Sequence, residues 1–320
     1  MKKTISVAPM MKRTDRHFHY LVRLLSQSTY FYTEMIHANA ILKGDKSKLL
    51  NFDTSDQRLV VQIGGSVPDH LSNAAKIIED TGFREINLNV GCPSKKVKAG
   101  NFGVFLMKDI DLLEECITSI NSKISIPLSI KCRTGVDDYE GEDFLNNFVQ
   151  RITRLNVNKI IIHARKAISG LDTKRNRSIP PLNYDLVCNI KNYYEDQEII
   201  INGGFDDMEK IFDIDSKVDG VMIGRKIYSN PLFLHEIEQK YFSNSTKNKL
   251  IEVMTKFMEY ILQLQSNKDA NRAINHLMAL LKCIPFQKSH REALMTSLRD
   301  KKIDSSEVFR NLEKIPALYQ

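Results

Sequence analysis

Eight short runs of apolar and β-branched residues, each followed by a segment with helical spacing, set the narrowest limit on what this chain can fold into. The runs cover residues 5–9, 30–34, 59–63, 85–90, 128–131, 159–163, 199–202 and 220–223. Runs of four to six apolar residues bounded by turn residues are the pattern of strands buried on both faces. The helical segments between them include 68–81, 109–122, 142–155, 183–194 and 206–213. Such alternation requires parallel pairing with helices as the crossovers. Eight units ending near residue 235 match the size of a (β/α)8 TIM barrel. A doubly wound open sheet is the alternative.

Past Pro231 the strand pattern stops, and residues 247–312 read as helices with apolar positions three and four apart. The division expected is therefore a catalytic barrel over residues 1–240 and a smaller C-terminal helical domain over 241–320, joined through Tyr241-Phe242-Ser243-Asn244-Ser245-Thr246. The helical part carries scattered cations, among them Lys268, Arg272, Arg291 and Arg299. Alone, these describe a solvated surface.

In a parallel barrel the chemistry collects where the strands end, so the candidate residues can be read directly. They are Pro9-Met10-Met11, Gln62, Asn89 with Cys92, Lys131 with Arg133, His163 with Arg165, Asn202-Gly203-Gly204 and Gly224-Arg225. The stretch Asn89-Val90-Gly91-Cys92-Pro93-Ser94 puts a thiol at the tip of a turn directly after a strand. Glycines after strands seven and eight let backbone N–H groups approach an anion, and Arg225 adds a planar charged fork, so a phosphate-bearing group is implied there. Gln62 can meet the edge of a heterocycle, Lys131 and His163 can stabilise negative charge on a ring, and Pro9-Met10-Met11 can supply an apolar face. Together these outline a place for flavin mononucleotide.

Composition narrows the partners. The five cysteines form no CxxC pair, which argues against a zinc site or a disulfide framework, and no metal is expected. No apolar run is long enough to span a bilayer, so no membrane is expected as a partner, and the opening residues turn too soon for a signal peptide; a cytoplasmic monomer is expected. The net charge of +7 permits a polyanion.

Taken together, Ser6-Val7-Ala8-Pro9-Met10-Met11, Val61-Gln62-Ile63-Gly64-Gly65, Asn89-Val90-Gly91-Cys92-Pro93-Ser94, Gly100-Asn101-Phe102-Gly103, Lys131-Cys132-Arg133, His163-Ala164-Arg165-Lys166-Ala167, Asn202-Gly203-Gly204 and Ile223-Gly224-Arg225 resemble the tRNA-dihydrouridine synthases. The run from Asn176-Arg177 to Asn183-Tyr184 is similar to the A subfamily in particular, and Lys12-Arg13 departs from its pattern. The resemblance implies a flavoenzyme using FMN, reduced by NADPH, that saturates the carbon 5–carbon 6 bond of a D-loop uridine in tRNA, with positions 20 and 20a as the expected targets. It implies that Pro9, Met10, Met11, Gln62, Lys131, His163, Asn202, Gly203, Gly204, Gly224 and Arg225 hold FMN. Asn89, Arg133, Arg165 and Lys166 would face the uridine and its surroundings, and Arg177, Arg291 and Arg299 would face tRNA. Hydride should enter at carbon 6, leaving carbon 5 in need of a proton. Cys92 is expected to donate it as general acid, because a thiol is mostly protonated at neutral pH yet acidic enough to protonate a carbanion. The target nucleotide must then be turned out of its stack. Two other readings are a reductase of a free pyrimidine or small enone, which leaves the basic helical part without a task, and an RNA-binding module without chemistry.

Overall fold

A computed structural model of the protein describes residues 3–242, 250–284 and 288–300. Nine strands form one parallel sheet: β1 (Thr4–Val7), β2 (Tyr30–Tyr32), β3 (Ile36–His37), β4 (Leu59–Gly64), β5 (Ile86–Asn89), β6 (Leu128–Arg133), β7 (Lys159–His163), β8 (Glu198–Asn202) and β9 (Gly220–Ile223). Their order is β2-β1-β9-β8-β7-β6-β5-β4-β3, and β2 also pairs with β4, with Phe31 opposite Leu59 and Tyr32 opposite Val60. That last pairing closes eight of the strands into the expected barrel. The ninth, β3, continues the line of β2 along the upper half of β4, with Ile36 opposite Ile63. At the break between them the Thr33 hydroxyl accepts the Gln62 backbone N–H at 3.1 Å, replacing the ladder carbonyl that a continuous strand would offer.

Register decides what faces inward, because side chains alternate between the two faces of a strand. Gln62 lies opposite Asn87, Asn89 opposite Lys131, Lys131 opposite Ile161, and His163 opposite both Arg133 and Asn202. Inside the barrel an apolar layer of Ala8, Tyr32, Val60, Ile161, Ile200 and Met222 is completely or almost completely buried. On the same inward faces, Glu85, Ser129, Lys159 and Glu198 lie toward the strand starts. Gln62, Asn89, Lys131, His163 and Asn202 lie toward the strand ends. The outward faces, such as Ile130 and Cys132 on β6 or Ile160 and Ile162 on β7, are buried as well.

The helix Pro68–Asp80 has Leu71, Ala74, Ala75 and Ile78 fully buried and packs against Ile110–Asn121. A large apolar side chain in such a layer stabilises the fold by roughly 1.5–3 kcal/mol. Several helices start on a capping side chain: Asp109 accepts from Leu112 N at 3.2 Å, Asn183 from Leu186 N at 3.0 Å and Asp207 from Lys210 N at 2.9 Å.

Contacts divide the chain into two compact units, and the division falls after Ile223, not at residue 240. Residues 12–29 join the second unit although they precede most of the barrel in sequence. The physical reason lies in the helix Arg16–Leu25, whose buried Phe18, Leu21, Val22 and Leu25 pack with the helices Leu232–Lys240, Leu250–Gln263 and Asn267–Leu281. Asp15 caps this helix by accepting from the N–H groups of His17 and Phe18, each at 3.0 Å, and also lies 3.0 Å from Nε2 of His276. Arg16 donates to Asp269 at 2.7 Å, and Nδ1 of His17 lies 2.7 Å from the Tyr260 hydroxyl. Residues 243–246 of the expected linker and the expected helical stretch 301–312 lie outside the described residues.

Candidate active site

The loop after β5 is built from its own sequence. Asn89, the last residue of β5, turns its side chain back so that Oδ1 accepts from Gly91 N at 3.3 Å and from Cys92 N at 3.0 Å. This Asx-type turn fixes the peptide that carries the thiol. On the other side, Val104 N donates to the Cys92 carbonyl at 3.2 Å. Gly103 makes that approach possible: its φ is +61°, and a Cβ there would lie 2.8 Å from the Cys92 oxygen and 2.5 Å from Val97. Cys92 is left half-buried, whereas Cys116, Cys132 and Cys188 are buried. Burial pushes the thiols of Cys116 and Cys132 up to about 12.

Gln62 and Asn89 are 1 % and 8 % exposed and are joined through Asn89 Nδ2 to Gln62 Oε1 at 2.9 Å. Gln62 therefore sits within β4, below the mouth, and not at the strand's tip. Lys131 is half-buried and donates to Oδ1 of Asn202 at 2.9 Å, while Nδ2 of Asn202 donates to the Met222 carbonyl at 2.7 Å. Among the described residues Lys131 is paired with no carboxylate. Burial, with the neighbouring Arg133 second, brings its ammonium down to about 8.

Arg133 is only 4 % exposed. Its guanidinium donates to three backbone carbonyls, Gly91 at 2.9 Å, Lys166 at 3.0 Å and Asn176 at 3.1 Å. It thus ties the Cys92 loop to the long loop after β7. Burial draws it down to about 10. Asn176 is fully buried and holds that loop from within, accepting from Ile168 N at 2.8 Å and donating to the carbonyls of Ile168 and Leu171 at 2.9 Å each. On the same loop Arg165 donates to the Pro180 carbonyl, Lys166 pairs with Glu140 at 2.7 Å and Arg177 is half-buried.

After β8 comes a turn of two glycines packed against His163, Leu182 and Tyr184. Gly203 and Gly204 have φ of +117° and +82°, and a Cβ on Gly203 would meet His163 at 2.8 Å. The Tyr184 hydroxyl donates to the Gly203 carbonyl at 2.6 Å and steadies the turn. Pro9 and Met10 are half-buried and Met11 is 59 % exposed, beyond the end of β1. Gly224 and Arg225 follow β9 directly and belong to the second unit, as do Arg291, which is half-buried, and Arg299, which is exposed.

The mouth residues of the first unit, in sum, present a thiol, a lysine lacking an acidic partner, a histidine and a pair of left-handed glycines. That donor set suits an anionic, planar ligand: the glycine turn has no side chains of its own, and Lys131 offers positive charge. An open hollow on the outer helices is lined by Asp111, Glu114 and Glu115, and its acidity makes it a poor match for an anion. No group of three or more metal-ligating side chains occurs among the described residues, and none of the described helices is long and apolar enough to cross a membrane.

The sequence reading did not single out Asn87, Ser129, Asn176 or Gly103 as individual contributors. The alternation Ile86-Asn87-Leu88-Asn89 did contain a clue, since polar residues two apart on a buried strand must share the barrel interior.

In class the protein is a TIM barrel, and in fold it is similar to an old yellow enzyme homologue from Zymomonas mobilis. That likeness has a TM-score of 0.54 over 75 % of this chain and 88 % of the other, at 11 % identity, and speaks for the fold alone. The chain belongs to the dihydrouridine synthase family, whose model matches residues 6–314, and is an enzyme of that family. It is 39 % identical over 296 residues to the tRNA-dihydrouridine(20/20a) synthase of Synechocystis sp., covering 92 % of this chain and 89 % of that one. The protein of the same name from Vibrio cholerae is 37 % identical over 316 residues, covering 98 % and 96 %.

Proposed function

We propose that the protein reduces the carbon 5–carbon 6 double bond of a uridine in the D-loop of tRNA, at positions 20 and 20a, with Cys92 as general acid. The observation that carries this reading is the placement of Cys92, held from both sides by Asn89 and Val104 at the barrel end that also presents Lys131 and His163. The names borne by the relatives from Synechocystis and Vibrio cholerae support the tRNA substrate.

Flavin mononucleotide, reduced by NADPH, would supply the hydride when bound. Gly203 and Gly204 would take its phosphate with backbone groups, Lys131 and His163 its ring, and Pro9, Met10 and Met11 an apolar face. The chain's own chemical task is then one proton. As hydride reaches carbon 6, negative charge develops at carbon 5, and the Cys92 S–H gives its proton there, leaving a thiolate that solvent reprotonates. Arg133 would serve the step by holding the loop, since Nε and Nη1 of its guanidinium donate to three carbonyls.

Turning a uridine out of its stack costs a few kcal/mol, which phosphate contacts offset. Arg165, Lys166 and Arg177 on the loop after β7, with Arg291 and Arg299 of the helical unit, would make them. The test is to incubate the purified yellow protein with NADPH and tRNA lacking dihydrouridine and to digest the tRNA for mass spectrometry. A gain of two mass units confined to D-loop uridines is expected. Reduction of free uridine with tRNA left untouched would overturn the reading.

A further inference from the structure

The turn that carries Cys92 runs directly into a short helix rich in lysine. From Ile86 to Lys108 the chain has four lysines, Lys95, Lys96, Lys98 and Lys108, and no acidic residue. The first three fall in the helix Lys95–Ala99. Lys108 has a carboxylate of its own, Asp137 at 2.7 Å, and Lys166 on the loop after β7 has Glu140 at 2.7 Å. Lys95 and Lys98 are exposed, and among the described residues no carboxylate pairs with either.

This helix is fixed to the peptide of the thiol. Val97 is 1 % exposed and packs on Gly103, the same residue whose missing side chain lets it lie against the Cys92 carbonyl oxygen. Lys98 N donates to the Ser94 carbonyl at 2.9 Å, and Phe102 N to the Val97 carbonyl at 3.3 Å. With Val97 turned inward, Lys95 and Lys98, three residues apart, share the outer face. The arrangement works against the helix twice over. Like charges at this spacing repel, and both cations stand in the first turn, where the backbone N–H groups already concentrate positive charge. No acidic residue in that turn offsets either effect.

We propose that Lys95 and Lys98 form a phosphate-binding edge for tRNA, taking the backbone phosphates next to the nucleotide that approaches Cys92. Uncompensated cations on a fixed element are what a polyanion neutralises. Residues three apart on a helix have Cβ atoms about 5–6 Å from each other, a spacing that two neighbouring phosphates of one strand can meet with flexible lysine side chains. The inference takes its substrate from the proposed function and adds where that substrate is held. The phosphates of NADPH share this chemistry, so the experiment separates the two sources.

The experiment compares the full-length, flavin-loaded protein with the double variant Lys95→Gln/Lys98→Gln, by filter binding of tRNA over a series of salt concentrations. Loss of two phosphate contacts should weaken binding and make the slope of log affinity against log salt shallower by about 1.4–1.8. The charge-keeping variant Lys95→Arg/Lys98→Arg should retain the parent slope. Without RNA the glutamine variant should melt no lower than the parent, because its lysines opposed their own helix; a purely structural role would lower the melting point and leave the slope alone. The NADPH concentration that half-saturates flavin reduction should stay as in the parent. A parent-like salt slope in the glutamine variant overturns the proposal, and a raised NADPH requirement beside that slope would assign the lysines to the reductant. Failure of the parent itself to bind tRNA would instead overturn the substrate reading on which the proposal stands.

Discussion

Lys131 is a single residue set against the fold, as the proposed flavin site would require. Its ammonium is brought down to about 8 from the ordinary 10.5, chiefly by burial. Below pH 8 both folded and unfolded chains carry the charge, so the full burial penalty applies; between about 8 and 10.5 only the unfolded chain keeps the proton, and the penalty fades. Without flavin, Lys131→Met should therefore melt higher than the parent at pH 7, with the gap closing as pH rises through that window. The same variant should retain flavin poorly. Calorimetry across pH, with flavin absorbance alongside, checks both halves. Gly203 is a second such position: Gly203→Ala places a Cβ 2.8 Å from His163 in a left-handed backbone, so loss of flavin on gel filtration is expected with the barrel still folded.

At the scale of elements, acid should loosen the helical unit. His17 is 1 % exposed and burial holds its pKa below 6.5, so the unfolded chain binds the extra proton first. The stability of this unit should fall as pH drops through 6.5, and His17→Gln should flatten the decline seen by circular dichroism between pH 7 and 5. Asp15 acts in a separate, lower window. Burial raises its pKa, but the hydrogen bond and charge of His276, with the Phe18 N–H and the charge of His17, outweigh that and hold it below 3.8, so its contribution fades only below that pH. Asp15→Ala removes a cap and a buried partner, at a cost of about 1–2 kcal/mol.

The strands were legible because their apolar runs are local: all eight barrel strands fall within two residues of the bounds read from sequence. The break at Thr33 was not legible, since a hydroxyl replacing a ladder carbonyl depends on Gln62, a partner far along the chain. Nor was the allegiance of Arg16–Leu25, whose amphipathic pattern says that one face is buried and not what covers it. At the site, the residue types were readable but their partners were not. The three backbone carbonyls that Arg133 holds lie on distant loops, and the partners of Glu85, namely Ser129 and Lys159, come from other strands.

For the whole molecule, charge and division matter most. With a net charge of +7, tRNA affinity should fall with salt by about 0.7–0.9 log units per log unit for each phosphate contacted, while flavin retention stays nearly constant. Filter binding and absorbance on the same samples measure the two together. Equal losses would count against separate sites. Truncation at residue 240 is a poor way to isolate the barrel, because it strips the helices Leu250–Gln263 and Asn267–Leu281 from the apolar face of Arg16–Leu25.

The most direct measurement is made on Cys92→Ala, purified beside the parent, with flavin absorbance and dihydrouridine formation in tRNA recorded for both. The account predicts a protein as yellow as the parent that binds tRNA and forms almost no product. Full product formation by the yellow variant would contradict it.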